Sequence, residues 1–218
     1  MKFLIESYGC AQNIAFGRGL EEVLEGKGLV AANSLDEADF VVVNTCTVKA
    51  VTEARMLHRI RWLLDQKKRT LVTGCMATAQ PGTLLKLVNR NEIIPLESFK
   101  SWSPESSSGE KRRRPVKWFE ELPQIPSRPV HGRAILPISR GCLGNCSYCI
   151  VRNAVGPLRS YGKSEIVSKA RQLIKKGALE FYLTAQDLAV YGKDNKGDLL
   201  DLLTSLSKLD GDFRIRLG

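Results

Sequence analysis

The sequence predicts an α/β protein: a parallel-sheet unit over residues 1–97, a polar linker over 98–133, and the first strands of a (β/α) barrel over 134–218. Three observations carry this. Short apolar runs alternate with stretches of helical periodicity, the pattern of βα units with parallel strands. The middle of the chain loses that pattern to Ser, Pro, Gly and charge. The cysteines fall just after predicted strands, at the end where open α/β sheets and barrels bind ligands.

Taken in order, Lys2 to Tyr8 reads as the first strand, and Leu20, Val23 and Leu24 lie at helical spacing before Gly26 and Gly28 stop the helix. Phe40 to Val43 is a continuous apolar run, as expected of a strand covered on both faces. Val51, Ala54, Leu57, Ile60 and Leu64 mark one face of a second helix. Leu71 to Thr73 make a third strand, and Leu84, Leu85 and Val88 a third helix, completing βαβαβα. From Ser98 to Arg133 the chain has linker composition, including Ser106 to Gly109 and Lys111 to Arg114. Trp102, Trp118 and Phe119 within it either pin the linker to a neighbouring domain or stack on bases. Structure resumes with a strand over Ala134 to Ile138. Ser164 and Glu165 open a helix whose apolar positions are Ile166, Val167, Ala170, Leu173 and Ile174, and Gly177 ends it. Phe181 to Leu183, Leu199 to Leu206 and Phe213 to Leu217 read as strand, helix and strand. Two and a half βα units do not close a barrel, so a fragment or a naturally truncated relative of a longer protein is expected.

The chain of 218 residues is long enough to bury real cores. No apolar run approaches the ~20 residues of a membrane span, and the first residues, with Glu6 and no small-residue cleavage site, do not read as a signal peptide. The expected address is the cytoplasm, where six cysteines point to metal or redox chemistry rather than to disulfides. The formal charge of +10 is concentrated: residues 98–134 hold eight Lys/Arg against four Asp/Glu, and residues 139–176 hold eight against one. Such a zone suits a polyanion such as RNA, the plain alternative being a solvated face.

Cys142, Cys146 and Cys149 form a Cys-x3-Cys-x2-Cys loop just after a predicted strand. Three soft thiolates on one loop suit an iron–sulfur cluster, and with three protein ligands one iron of a [4Fe-4S] cluster stays open to chelate a small molecule. A zinc knuckle is the alternative. Zinc wants a closed tetrahedral shell, and no fourth Cys or His follows at ligand spacing. Cys10, Cys46 and Cys75 look scattered, yet each follows one of the first three predicted strands closely. Neighbouring parallel strands lie about 4.8 Å apart, so these loops can converge on a second three-thiolate site; unrelated buried cysteines are the alternative. His58 and His131 have no acid–base partner visible in the sequence and are read as structural.

The stretches YGCAQN, NTCTVK, TGCMA and SRGCLGNCSYCIVRNAVGPLRSY together resemble the radical S-adenosylmethionine methylthiotransferases nearly end to end. NTCTVKAVTEARMLHRI, LTAQD with VYGKD, and FRIRLG resemble the archaeal and eukaryotic branch that converts N6-threonylcarbamoyladenosine at position 37 of tRNA to its 2-methylthio form. The resemblance implies an N-terminal methylthiotransferase domain followed by the first part of a radical S-adenosylmethionine partial barrel. It implies two [4Fe-4S] clusters and S-adenosyl-L-methionine as cofactors: one molecule methylates sulfur at the cluster of Cys10, Cys46 and Cys75, and another is cleaved at the cluster of Cys142, Cys146 and Cys149, with Tyr148 where an aromatic is usual. As partners it implies the tRNA anticodon stem-loop, a reductant protein and a sulfur donor. Gln186 and Asp187 match where relatives contact substrate or S-adenosylmethionine, helix capping being their alternative use. Arg152, Arg159 and Lys163, with the basic run Arg112, Arg113 and Arg114, are the candidates for RNA phosphates. The chain departs from the family pattern at Phe16 and Arg18, where relatives carry acids, and the later barrel strands and the C-terminal RNA-binding domain are expected to be missing, which puts activity of the chain alone in question. Two further readings stand beside this one: another radical S-adenosylmethionine enzyme with an auxiliary cluster, and an inactive, metal-stabilised RNA-binding fragment.

Overall fold

The computed structural model describes residues 1–48, 50–104 and 122–218. The described residues form two parallel sheets. The first has the order β2-β1-β3-β4, with β1 Lys2–Ser7, β2 Val30–Ala31, β3 Phe40–Thr45 and β4 Arg69–Gly74. The second has the order β5-β8-β9, with β5 Arg133–Pro137, β8 Glu180–Thr184 and β9 Arg214–Leu217. All of these pairings are parallel, and β1, β3 and β4 are adjacent. The α/β class and the partial barrel are thus present as the sequence predicts.

Strand β3 explains why the first sheet is covered on both faces. Every residue from Phe40 to Thr45 is buried. Side chains alternate along a strand, so Phe40 and Val42 join one core with Phe16, Leu20 and Leu24 of α1 (Ala11–Glu25). Val41 and Val43 join the other core with Met56, Ile60 and Leu63 of α2 (Ala50–Asp65). The sequence put Val51 and Ala54 on the buried face of α2, but both are exposed. Two apolar stripes at helical spacing overlap on this helix, and the one through Met56, Ile60 and Leu63 is the buried one. Leu84 and Val88 are buried as expected. Instead of one third helix, however, β4 runs into two short ones, α3 (Cys75–Ala79) and α4 (Pro81–Leu84), and Leu85 is exposed.

The stretch read as linker starts as core. Phe99 and Trp102 are buried in the first unit, with the Trp102 ring 5.6 Å from that of Phe40 and 5.5 Å from that of Phe99. The pinning use of Trp102 is the observed one. Trp118, Phe119 and Arg112 to Arg114 lie outside the described residues. Farther on, Ile125 is buried in the barrel core, and Tyr161 donates its hydroxyl to the Pro123 carbonyl at 2.6 Å.

In the second unit, α6 (Lys163–Lys175) buries Ile166, Ala170 and Leu173 against the strands, and α7 (Leu199–Ser207) buries Leu202 and Leu206. Helix α6 begins at Lys163 after Gly162, with no side-chain cap from Ser164, whereas Asp198 caps α7 by accepting from the N–H groups of Leu200 and Asp201. A short antiparallel ribbon of β6 (Ser139–Arg140) and β7 (Arg159–Ser160), too brief to show as a sequence pattern, closes the base of the loop between them, which contains α5 (Val151–Val155). Helix α1 packs on β5 and α3 packs on α5, so the two units meet directly. No helix among the described residues is long and apolar enough to cross a membrane.

Removing the Trp102 indole opens a large void in a close-packed core, and Trp102→Ala is expected to lower unfolding stability by about 3–5 kcal/mol in a denaturant titration. A change under about 1 kcal/mol would mean that this segment is not part of the first unit's core.

Candidate metal centre

All six cysteines line one cavity of about 350 Å³ between the two units, a volume in the range of small-molecule sites. Chain topology puts them there. Cys10 is the residue before the first turn of α1, Cys46 follows β3 directly, and Cys75 is the first residue of α3 directly after β4. These are the carboxyl ends of three adjacent strands. Gly9 shows how tightly the first two loops meet: its φ is +99°, and a Cβ there would lie 2.6 Å from both Cβ and Sγ of Cys46, so only glycine fits.

Buried amide and hydroxyl groups hold these loops. The Asn13 side chain donates to the Tyr8 carbonyl at 2.7 Å and the Thr45 carbonyl at 3.1 Å, bridging the chain before Cys10 to the chain before Cys46. In return, Asn44 donates to the Asn13 carbonyl at 2.7 Å. The Thr45 hydroxyl donates to the Thr73 carbonyl and accepts from the Met76 N–H, which ties the Cys46 strand to the Cys75 turn. The Cys46 N–H points to the Met56 sulfur at 3.1 Å. At the departure from family pattern, Phe16 is buried, and the Arg140 guanidinium lies 6.0 Å from its ring centroid.

The second trio sits on the loop between β6 and β7. The Gly144 N–H donates to Cys142 Sγ at 3.2 Å, and a Cβ on Gly144 would stand 3.2 Å from Cys142 Sγ and 3.8 Å from Cys146 Sγ, so both sulfurs turn to one side. The Cys149 N–H donates to the Cys146 carbonyl at 3.1 Å, giving a tight turn between these two ligand positions.

Burial and then the neighbouring Cys10 and Cys46 push the Cys75 thiol up to about 12. Under that cover an uncompensated Cys75 thiolate is costly. The buried Arg140 guanidinium acts the other way on Cys75, and burial holds its own pKa below the usual arginine range. Arg140, just ahead of Cys142 yet facing Cys75, was not singled out from the sequence. Neither were Gln12, Asn44 and Thr45, although polar residues at the end of an apolar strand and straight after a cysteine are a readable signal.

The remaining predicted residues are placed as follows. Gln186 lines the cavity, whereas Tyr148 is 88% exposed. Asp187 is exposed and accepts from the Ala189 N–H at 3.0 Å, a capping role. Arg152 lines the cavity and donates to the Gly144 carbonyl at 2.6 Å; Lys163 pairs with Asp201 at 2.6 Å; Arg159 is half-buried in β7. His58 and His131 are exposed and away from the cavity. Among the described residues, no three His, Cys, Asp or Glu groups are grouped as ligands of a single ion.

Six cysteine sulfurs, three at the ends of adjacent strands and three on one loop, are a donor set that would suit iron–sulfur clusters, with Arg152 and Gln186 among the polar residues on the walls. The family described as Uncharacterized protein family UPF0004 matches residues 2–94. Over 223 residues the chain is 36% identical to a probable threonylcarbamoyladenosine tRNA methylthiotransferase of Methanocaldococcus jannaschii, covering 100% of this chain and 52% of that protein. Along its whole length the chain is thus similar to methylthiotransferases. Two others resemble it at similar coverage. A threonylcarbamoyladenosine tRNA methylthiotransferase of Danio rerio is 29% identical, covering 100% of this chain and 42% of its own. The ribosomal protein uS12 methylthiotransferase RimO of Protochlamydia amoebophila is 30% identical, covering 97% and 47%. The chain spans about half the length of the curated relatives it matches. Its fold is similar to that of the cobalamin-dependent S-adenosylmethionine radical enzyme OxsB, at TM-score 0.54 and 10% identity, covering 98% of this chain and 38% of OxsB. It is also similar to the radical S-adenosylmethionine methyltransferase TsrM of Kitasatospora setae, at TM-score 0.51 and 13% identity, covering 93% and 50%.

Only thiolates alkylate rapidly. In the metal-free chain at pH 8, below a Cys75 pKa of about 12, iodoacetamide is therefore expected to label exposed Cys10 and Cys146 first and Cys75 late, with the Cys75 rate still rising at pH 10. Asn13→Ala removes the bridge between the first two loops and is expected to speed labelling of buried Cys46 by about tenfold, as the loss of one to two buried hydrogen bonds allows. Peptide mass spectrometry reads both, and equal rates for Cys75 and Cys10 would contradict the described environment.

Proposed function

We propose that this chain carries the two iron–sulfur sites of a radical S-adenosylmethionine methylthiotransferase that converts N6-threonylcarbamoyladenosine at position 37 of tRNA to its 2-methylthio derivative. The observation that carries the reading is the convergence of two cysteine trios on one cavity. Two trios facing one space suit a reaction in which a group held at one site is delivered to a substrate activated at the other.

Cys142, Cys146 and Cys149 are the residues that would hold the [4Fe-4S] cluster reacting with S-adenosylmethionine, and Cys10, Cys46 and Cys75 those that would hold the second. Such a cluster would bind S-adenosylmethionine and supply the electron for its reductive cleavage. The protein's own part is positional and electrostatic. Asn13, Asn44 and Thr45 set the first trio. The Gly144 N–H and the Arg152 bond to the Gly144 carbonyl shape the second.

The choice of tRNA over a ribosomal protein is supported by archaeal relatives at 36% and 35% identity, against 30% and 32% for two RimO proteins, and by the basic balance of the chain. The anticodon stem-loop, a reductant protein and a sulfur donor are the partners this activity requires, and the cytoplasm is its place.

Anaerobically reconstituted chain given dithionite and S-adenosylmethionine is expected to form 5'-deoxyadenosine. Cys142→Ala is expected to abolish this, and Cys46→Ala to retain it. Metal uptake and RNA binding with no 5'-deoxyadenosine from the wild type would favour the RNA-binding fragment instead.

A further inference from the structure

Gln12 and Gln186 are far apart in sequence and come from different units, yet their side-chain amides meet in the wall of the cavity. Gln186 Oε1 accepts from the Gly141 N–H at 2.8 Å, and Gln186 Nε2 donates to Gln12 Oε1 at 2.6 Å. Gln12 Nε2 then donates to the Ser139 carbonyl at 2.6 Å. The direction of this relay is fixed at both ends by the backbone. A peptide N–H can only donate, so Gln186 must present its oxygen to Gly141 and its nitrogen to Gln12. Gln12 must then present its oxygen to Gln186 and its nitrogen to Ser139, whose carbonyl can only accept. One orientation satisfies all three bonds, and neither side chain can flip without setting like against like.

The relay clamps the backbone that enters the second trio, because Ser139, Arg140 and Gly141 lead straight into Cys142. Gly141 has φ +90°, and a Cβ there would overlap the Pro157 carbonyl. The clamped peptide thus sits in a conformation that only glycine supports, pressed against the far side of the loop. At its other end the relay is anchored two residues after Cys10, on a Gln12 that is only 4% exposed and lies on the first turn of α1. The next residue, Asn13, bridges the Cys10 and Cys46 loops. Two consecutive amides therefore divide the work: Asn13 faces into the first trio, and Gln12 reaches across to the second.

We propose that Gln12 and Gln186 form a positioning pair that fixes the two cysteine trios relative to each other. This rests on the proposed function in holding that two sites must face across a set distance. It assigns Gln186 to positioning, since its amide oxygen and nitrogen each hold a partner within the protein. The pair acts on the separation and mutual orientation of the two sites, not on the capacity of either to hold metal.

The test has two arms, on wild type, Gln12→Met, Gln186→Met and the double variant; methionine keeps the length of the side chain and removes its amide. The first arm uses metal-free protein and hydrogen exchange at the Gly141 amide. Gln186→Met removes the acceptor, and Gln12→Met removes the group that holds Gln186 in place, so each is expected to speed exchange by about tenfold, with no further gain in the double variant. Exchange in Gln12→Met equal to wild type would overturn the pair. The second arm uses reconstituted protein and measures the dipolar interaction between the two reduced clusters by pulsed electron paramagnetic resonance. Iron content and unfolding midpoint are expected to match wild type while the inter-cluster distance distribution broadens; a distribution as narrow as wild type in both single variants would also overturn the proposal. Because the first arm needs no cluster, failure of the pair can be told apart from failure of the functional reading, which would show as wild type unable to hold two clusters.

Discussion

The structure depends on one geometric constraint: the carboxyl ends of two parallel sheets are turned toward each other, and every cysteine of the chain lies at or near such an end. In a parallel sheet all strands finish on the same side, so residues that follow adjacent strands come together however far apart they are in sequence. Strands β1, β3 and β4 are adjacent, and Cys10, Cys46 and Cys75 inherit that adjacency. The barrel unit contributes its trio differently, on a single loop pinched at its base by a short ribbon. Packing of α1 on β5 and of α3 on α5 then closes the space between the two.

Electrostatics and packing pull against each other at this junction. Burial, with Cys10 and Cys46 alongside, disfavours the ionised form of Cys75 and raises its pKa. A metal group reverses the balance, since its positive charge favours thiolate and its binding releases the protons. The buried guanidinium of Arg140 works in the same direction as a metal would, from within the protein. Hydrogen bonds made by Asn13, Asn44 and Thr45 tie the loops of the first trio to one another.

Much of this was legible in the sequence because it is local. The run Phe40 to Val43, the Cys-x3-Cys-x2-Cys loop and the linker composition each express themselves over a few consecutive residues. What the sequence did not disclose depends on register between distant elements. The two-residue strand β2 and the ribbon of β6 and β7 are too short to carry periodicity. Two apolar stripes overlap on α2 and periodicity alone does not choose between them: Met56, Ile60 and Leu63 are buried, and Val51 and Ala54 are outside. Trp102 was set among linker residues by its neighbours' composition, although its ring belongs to the core of the first sheet. Arg140 and Gln12 lie beside cysteines in the sequence, but what each does is defined by a partner in the other unit, which no spacing rule reveals.

The central claim is that the two trios are independent ligand sets for two clusters. The most direct measurement is iron and acid-labile sulfide content, with absorption spectra, on anaerobically reconstituted wild type and two triple variants: Cys10→Ala, Cys46→Ala, Cys75→Ala and Cys142→Ala, Cys146→Ala, Cys149→Ala. At four irons per cubane, about eight irons are expected in the wild type and about four in each triple variant. A wild type that takes up zinc and refuses iron, or a triple variant that loses all of its iron, would contradict the account.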